Sequence, residues 1–217
     1  TAALAAGSAV ILKPAPPAKR CAAVLAEIMW EAGVPRDVLR FAPMQDGRAS
    51  QRLVESEDVD RVVLTGSFAT AELFRSWRPA LPLLAETSGK NAFIVTPHAD
   101  RDLAVKDAVY SAFGHAGQKC SAASLLILVG SAANSKRLRD QLVDAVTSLR
   151  AGPAHDLATQ ISPLLTPDEG SARAGLTELG SGEHWVIRPR DLGGGLWTPG
   201  VRAGVKRGSE AHLTEFF

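Results

Sequence analysis

The fold is decided by residues 62–86, which read VVLTGSFATAELFRSWRPALPLLAE. The stretch begins with an apolar run, passes through Gly66 and Ser67 into a helical pattern that ends near Trp77, and returns to a second apolar run. Two strands separated by a helix of about 10–15 residues are typical of a βαβ unit with parallel strands. The stretch therefore predicts an α/β fold with a buried strand at residues 62–65.

The same alternation of strand and helix patterns extends to both sides of this unit. It weakens beyond residue 180, where Gly193–Gly195 predicts loops. A change in composition near residues 87–91 divides the chain into two predicted domains, 1–87 and 88–217. The other predicted elements are strands at 9–12, 38–41, 83–86, 92–95, 124–129, 185–187 and 201–206, and helices at 18–32, 48–56, 102–115 and 133–149.

Composition and charge exclude several classes of protein. The 217 residues include 24 Lys and Arg against 23 Asp and Glu, a net charge of +1 without a long basic run, which argues against a nucleic-acid partner. No apolar run reaches about 18 residues, so no membrane segment is predicted. The five His and two Cys are scattered without the spacing of a zinc site, so we expect no metal and a reduced, cytoplasmic setting.

The two cysteines lie in different sequence contexts. Cys120 comes just after a predicted helix and just before a predicted strand, where a thiol is partly exposed and the adjacent Lys119 favours a thiolate. The alternative is that Cys120 is a small buried apolar residue, and the residues alone leave this open. Cys21, on a helical face with Val24 and Leu25, is assigned that buried structural role.

Four further residues stand where α/β sheets place their sites. Glu86 ends an apolar strand and is a candidate general base, or is paired with Lys90. Gly66 and Ser67 open a helix and could receive a phosphate, or could form an ordinary turn with a serine cap. Lys13 follows a strand and could donate to a ligand, or could be a solvated loop residue.

These elements occur in one order along the chain, and that order resembles the aldehyde dehydrogenase superfamily. More narrowly, Ser111–Phe113 followed by Ala116–Ala122 looks like glutamate-semialdehyde (1-pyrroline-5-carboxylate) dehydrogenases, including the dehydrogenase part of the bifunctional proline utilisation A proteins. The motifs that carry the resemblance are Lys13-Pro14-Ala15, Leu64–Ser67, Glu86–Asn91, Gly117–Cys120 and Glu215–Phe217.

The resemblance implies a role in aldehyde oxidation for three of the residues. Cys120 would be the nucleophile that adds to the aldehyde carbon, with the oxyanion held partly by its own backbone N–H. Glu86 would activate the water that hydrolyses the thioester. In the narrower family, Ser121 would donate a hydrogen bond to the substrate carboxylate.

The resemblance also implies a set of cofactor contacts for NAD, with NADP left open. Pro16 stands where the family often has a ribose-binding Glu, and the family's glycine loop falls near 43–47, where Gly47 alone is present. The implied contacts are Lys13 at the adenine-side ribose, Gly66 and Ser67 at the pyrophosphate, the Thr87 carbonyl at the nicotinamide amide, Glu215 at the nicotinamide ribose and Phe217 beside that ring.

The resemblance finally implies how the chain is organised. Residues 1–87 would be the C-terminal part of a Rossmann-like NAD(P)-binding domain, and residues 88–217 the N-terminal part of an α/β catalytic domain. Both ends lack the features of a natural terminus, so we expect a fragment that is inactive alone. The whole protein is expected to be a homo-oligomer acting on a small aldehyde, with a fused proline dehydrogenase domain an open alternative.

Overall fold

The computed structural model describes residues 1–44, 47–87, 89–165 and 170–216. The chain divides into two compact units, Thr1–Thr87 and Ser88–Phe217. Each unit is an assembly of helices and short strands, so the expected α/β fold is confirmed. The assignment of cofactor and catalytic roles to these units stays a prediction.

The first unit is built from two βαβ arrangements. The strands pair two by two and parallel, β1 with β2 and β3 with β4, each pair bridged by one or more helices. The parallel arrangement predicted from the alternating pattern is therefore confirmed. The elements are α1 (Ala2–Ala5), β1 (Val10–Leu12), α2 (Lys19–Glu31), β2 (Leu39–Phe41), α3 (Gly47–Glu55), β3 (Val62–Gly66), α4 (Phe68–Trp77) and β4 (Leu83–Thr87).

The prediction that residues 62–65 form a buried strand is wrong. Alternate residues of a strand face opposite sides of a sheet, and α4 packs against one side of the β3–β4 pair. On the other side, Val63 is 73% exposed and its register partner Leu84 is 57% exposed. A continuous apolar run predicts cover on both faces, and within the described part of this unit only one face has it.

The second unit also begins with a parallel pair. Strands β5 and β6 pair in the register Ala92↔Leu125, and helix α5 connects them. The elements are β5 (Ala92–Val95), α5 (Arg101–Phe113), β6 (Leu125–Leu128), α6 (Lys136–Thr147), α7 (Gly170–Thr177), β7 (His184–Ile187), β8 (Asp191–Gly193), β9 (Leu196–Trp197), β10 (Val201–Ala203) and α8 (Glu210–Leu213).

Three features of this unit differ from the sequence predictions. Helices α7 and α8 were not predicted, because α7 carries two glycines of low helix propensity and α8 has only four residues. The predicted loop is confirmed at Gly194 and Gly195, which form the turn of an antiparallel hairpin, but the strands β8 and β9 on either side were not predicted. All three glycines have positive φ (84°, 60° and 78°), which is the backbone region that such tight turns require.

The core of the second unit fixes the helix that leads to Cys120. Val95 of β5, Val105 of α5 and Leu138 of α6 are each no more than 8% exposed and belong to one apolar cluster. Asp102 of α5 also accepts hydrogen bonds from Arg137 (2.9 Å) and Gln141 (2.7 Å) of α6. The N-terminal half of helix α5 is therefore held both by apolar packing and by hydrogen bonds to α6.

No helix in the described ranges is long and apolar enough to cross a membrane.

Candidate functional site

The backbone turns sharply between α5 and Cys120. The predicted helix at 102–115 ends earlier, at Phe113, and the chain enters the left-handed region at His115 (φ 55°), Ala116 (φ 56°) and Gly117 (φ 76°). A residue with a Cβ in this region costs about 1–2 kcal/mol. Backbone strain of this kind is concentrated at functional sites, where the surrounding structure maintains it.

Cys120 is exposed at the end of this turn. The alternative of a buried structural thiol is therefore excluded for Cys120. It is also wrong for Cys21, which is exposed on α2 because its face of that helix is not packed against the strands. Among the described residues, the backbone N–H groups of Cys120 and Ser121 have no hydrogen-bond acceptor. Two donors are thus open beside the thiol.

Hydrogen bonds from Asn91 fix the carbonyl side of the same loop. The Asn91 side-chain Nδ2 donates to the carbonyl oxygens of Cys120 (2.7 Å) and Ala122 (3.1 Å). The Ala122 N–H donates to the carbonyl of Lys119 at 3.0 Å, which closes a tight turn around the thiol. The sequence reasoning gave Asn91 no role; its place at the end of the Glu86–Asn91 motif was the available signal.

Two further contacts tie this loop to its surroundings. Gln118 accepts a hydrogen bond through Oε1 from the backbone N–H of Leu165 at 3.1 Å. The Ala123 N–H donates to the backbone carbonyl and the hydroxyl of Ser111, each at 3.3 Å. Ser121 itself is exposed, next to the thiol. The loop therefore presents Cys120 and Ser121 to the surface while its other atoms are held.

In the first unit, the three predicted residues Gly66, Glu86 and Thr87 share one sheet edge. The register of the parallel pair places Thr65 opposite Glu86 and Gly66 opposite Thr87, so the carboxyl ends of β3 and β4 coincide. Glu86 is exposed, on the same face as Val63 and Leu84. Glu86 therefore lies at the edge where open α/β sheets place their ligands. Ser88, the next residue of its motif, lies outside the described residues.

The Ser67 side chain caps helix α4. Its Oγ accepts from the Thr70 N–H at 3.1 Å and lies 2.9 Å from the Thr70 hydroxyl. This geometry is the serine-capped turn that the sequence left as an alternative, although it does not prevent the other amide groups at the helix start from facing a ligand. A Cβ added at Gly66 would meet only Leu64 at 3.4 Å, an ordinary contact.

A shallow cleft lies at the carboxyl ends of β1 and β2. Lys13, the residue after β1, is exposed next to it. Gln45 and Asp46, in the region of the expected glycine loop, lie outside the described residues. The cleft is lined by Pro14, Pro16, Lys19, Pro43 and Met44.

Glu215 sits beside a cluster of cations and aromatic rings in the second unit. The ring of Phe216 has Lys90 Nζ and Arg202 Cζ each 5.3 Å from its centroid. Arg202 also lies 4.9 Å from the Trp185 ring and pairs with Glu183 at 3.2 Å. None of these partners was predicted, and Phe217 lies outside the described residues.

This cluster perturbs one titratable group. The pKa of Lys90 is lowered because the ammonium is partly buried and because the positive charge of Arg202 is close. The carboxylates of Glu215 and Glu183 act in the opposite direction. Glu215 therefore lies close enough to Lys90, within the same unit, for their charges to interact.

The predicted site residues therefore fall into two sets. Cys120, Ser121 and Glu215 belong to the second unit. Within the described ranges, no group of three or more His, Cys, Asp and Glu side chains comes together to hold a metal ion. Lys13, Gly66, Ser67, Glu86 and Thr87 lie at carboxyl ends of parallel strands in the first unit.

Comparisons with known proteins agree on one family. The model of the aldehyde dehydrogenase family matches residues 1–217. A 1-pyrroline-5-carboxylate dehydrogenase of Bacillus subtilis is 32% identical over 198 residues, which are 86% of this chain and 37% of that protein. The structure of proline utilization A from Corynebacterium freiburgense matches with a TM-score of 0.90 and 49% identity, over 97% of this chain and 22% of that one.

A relative whose name carries a different substrate is also similar. The succinate-semialdehyde dehydrogenase from Burkholderia pseudomallei has a TM-score of 0.89 and 27% identity, over 99% of this chain and 45% of that one. The chain thus spans less than half the length of each of these three relatives.

Proposed function

We propose, since this chain belongs to the aldehyde dehydrogenase family, that the enzyme containing it oxidises an aldehyde to a carboxylate with NAD(P). We further propose glutamate semialdehyde as the substrate, because a Bacillus subtilis 1-pyrroline-5-carboxylate dehydrogenase and a proline utilization A protein are among the relatives. The enzyme is then a cytoplasmic homo-oligomer. A fused proline dehydrogenase domain, as in the bifunctional relatives, is part of the same proposal.

One observation carries the catalytic part of this proposal: an exposed Cys120 thiol next to backbone N–H groups that have no acceptor among the described residues. The thiolate adds to the carbonyl carbon, and the C=O electron pair moves to the oxygen. The oxyanion then accepts a hydrogen bond from the Cys120 N–H, which stabilises the charge where it develops. Ser121, exposed beside the thiol, donates to the carboxylate of a semialdehyde substrate.

The second half of the reaction falls to Glu86. When bound, NAD(P) supplies the acceptor for the hydride that leaves the former carbonyl carbon. The acyl group is then a thioester of Cys120. Glu86, an exposed carboxylate at the carboxyl edge of β4, takes a proton from water as the oxygen attacks this thioester, and the Cys120 thiolate leaves.

The residues at the strand ends fit a dinucleotide. The cleft beyond β1 and β2, together with Lys13, suits the adenosine part, and Gly66, Ser67 and Thr87 suit the pyrophosphate and nicotinamide parts. Glu215 would bind the nicotinamide ribose, with Phe217 beside the ring. NAD and NADP both remain open, because Pro16 supplies no carboxylate to repel a 2′-phosphate.

Two other functions are kept as alternatives. The enzyme could act on another aldehyde, as the printed name of the Burkholderia pseudomallei relative would suggest. It could also be a non-catalytic member of the family that serves as a scaffold. The presence of both Cys120 and Glu86 disfavours the scaffold, because a scaffold needs neither a thiol nor a carboxylate at those places.

The test is NAD(P)H formation by the whole enzyme with glutamate semialdehyde, succinate semialdehyde and simple aliphatic aldehydes. Cys120→Ala is expected to abolish turnover, whereas the matched control Cys21→Ala leaves it unchanged because that exposed thiol has no role in the reaction. Activity with aliphatic aldehydes alone would remove the proline-pathway assignment. Absence of activity with every aldehyde would favour the scaffold. The 217-residue chain alone is expected to show no turnover.

A further inference from the structure

We propose that Asn91 is a positioning residue that fixes the orientation of the backbone N–H groups around Cys120. The inference rests on the proposed function, because it assumes that Cys120 is the nucleophile. Asn91 reaches the loop from the start of β5, and it is separated from its two acceptors by 29 and 31 positions in sequence. Both hydrogen bonds of its amide nitrogen go to backbone carbonyls, so it acts through the loop backbone.

The identity of the donor atom follows from the acceptors. Both neighbours of the Asn91 amide are carbonyl oxygens, so only its NH₂ group can face them. Each of the two amide hydrogens has one acceptor, at 2.7 Å and 3.1 Å, both within normal hydrogen-bond distance. The NH₂ group of Asn91 is therefore fully used by the loop.

The two peptide planes that flank the Cys120 Cα are fixed by different bonds. A trans peptide is planar, so its N–H points opposite to its C=O. The Lys119 carbonyl accepts from the Ala122 N–H, which orients the Cys120 N–H away from the inside of the turn. The Cys120 carbonyl accepts a hydrogen bond from Asn91, and because this carbonyl and the Ser121 N–H lie in one peptide plane, the bond also orients the Ser121 N–H. Asn91 thus controls the second of the two planes.

Asn91 is itself held in place by the sheet. Its carbonyl oxygen accepts from the N–H groups of Ser124 (3.0 Å) and Leu125 (3.1 Å). The next residue, Ala92, is the register partner of Leu125 in the β5–β6 pair. The Asn91 side chain therefore holds the loop at residues 120–122 in a fixed position relative to the β5–β6 pair.

The experiment compares Asn91→Leu, which removes both donors without adding a charge, with the matched control Asn134→Leu, the same change at the other asparagine, in an exposed turn before α6. The first measurement is amide hydrogen exchange at Ala122–Leu125 in the whole enzyme. We expect about tenfold faster exchange in Asn91→Leu, since two hydrogen bonds are lost. We expect no change at these amides in the control. Asn91→Ser, too short to reach either carbonyl, serves if Asn91→Leu does not fold.

The second measurement separates positioning from a purely structural role. For the whole enzyme with its aldehyde substrate, Asn91→Leu is expected to lower kcat about tenfold with a smaller change in KM, because the Ser121 N–H, the second open donor beside the thiol, is misdirected. Asn91→Gln, which keeps the NH₂ donor, is expected to restore part of kcat. Unchanged exchange at 122–125, or a loss confined to KM, would overturn the proposal. If the wild type oxidises no aldehyde but Asn91→Leu still exchanges faster at 122–125, the proposed function is refuted. The conclusion that Asn91 anchors the loop would then still hold.

Discussion

Substitution of Gly117 is the sharpest test of how the loop at residues 114–122, which carries Cys120, is built. Gly117 is the third consecutive residue with positive φ, and at φ 76° a Cβ would lie 3.1 Å from the backbone carbonyl oxygen of Ala112. Real Cβ contacts of this length are rare, and a backbone carbonyl in helix α5 cannot rotate away as a side chain can. Gly117→Ala therefore combines a conformational cost with a steric one.

The two costs can be separated with a matched glycine in the same unit. Gly208 has φ 85°, and a Cβ added there would meet nothing within 4 Å. Gly208→Ala should cost only the left-handed conformation, about 1 kcal/mol of unfolding free energy. Gly117→Ala should cost this amount plus the displacement of the Ala112 carbonyl, about 1–3 kcal/mol for an overpacked contact.

Urea unfolding followed by circular dichroism measures both variants against the wild type. We expect the free energy of unfolding to fall by at least about 1 kcal/mol more for Gly117→Ala than for Gly208→Ala. Equal losses for the two variants would show that the contact with Ala112 does not restrict residue 117. The reasoning about a sterically fixed loop would then be refuted.

Three further perturbations test individual interactions. Ser67→Ala removes the cap of α4 and should lower the free energy of unfolding by about 1 kcal/mol in a urea titration. Lys90→Met tests the lowered pKa of Lys90. The Lys90 ammonium keeps its proton to higher pH in the unfolded chain than in the folded one. The wild type should therefore gain stability relative to the variant as pH rises towards 10.5, as measured by thermal unfolding. Gln141→Leu removes the largest cause of the lowered pKa of Asp102. The Asp102 carboxylate adds to the free energy of unfolding above its usual pKa of 3.8, and this contribution is lost in acid. The contribution should be smaller in the variant, so the free energies of unfolding of wild type and variant should converge as pH falls through that range. A gap that widens in acid would contradict this assignment.

The sequence by itself determined the alternation of elements and the position of the candidate nucleophile, Cys120. Apolar periodicity and turn residues are local signals, so the βαβ unit at 62–86 could be predicted within a few residues at each boundary. The position of Cys120 between a helix and a strand was likewise a local property, but whether the thiol is exposed was left open until the structure showed that it is. The order of the motifs was sufficient to indicate the family.

Other features were decided only by the tertiary structure. The exposure of Val63 depends on which elements pack against its face of the sheet, and an apolar run in the sequence does not show this. The role of Asn91 depends on two carbonyls that the fold brings from 29 and 31 residues away. The left-handed backbone at His115 and Ala116 contradicts the preference of those residue types, so no propensity could have predicted it. Local patterns select elements because they depend on neighbouring residues, whereas hydrogen bonds and burial between distant segments exist only once the chain has folded.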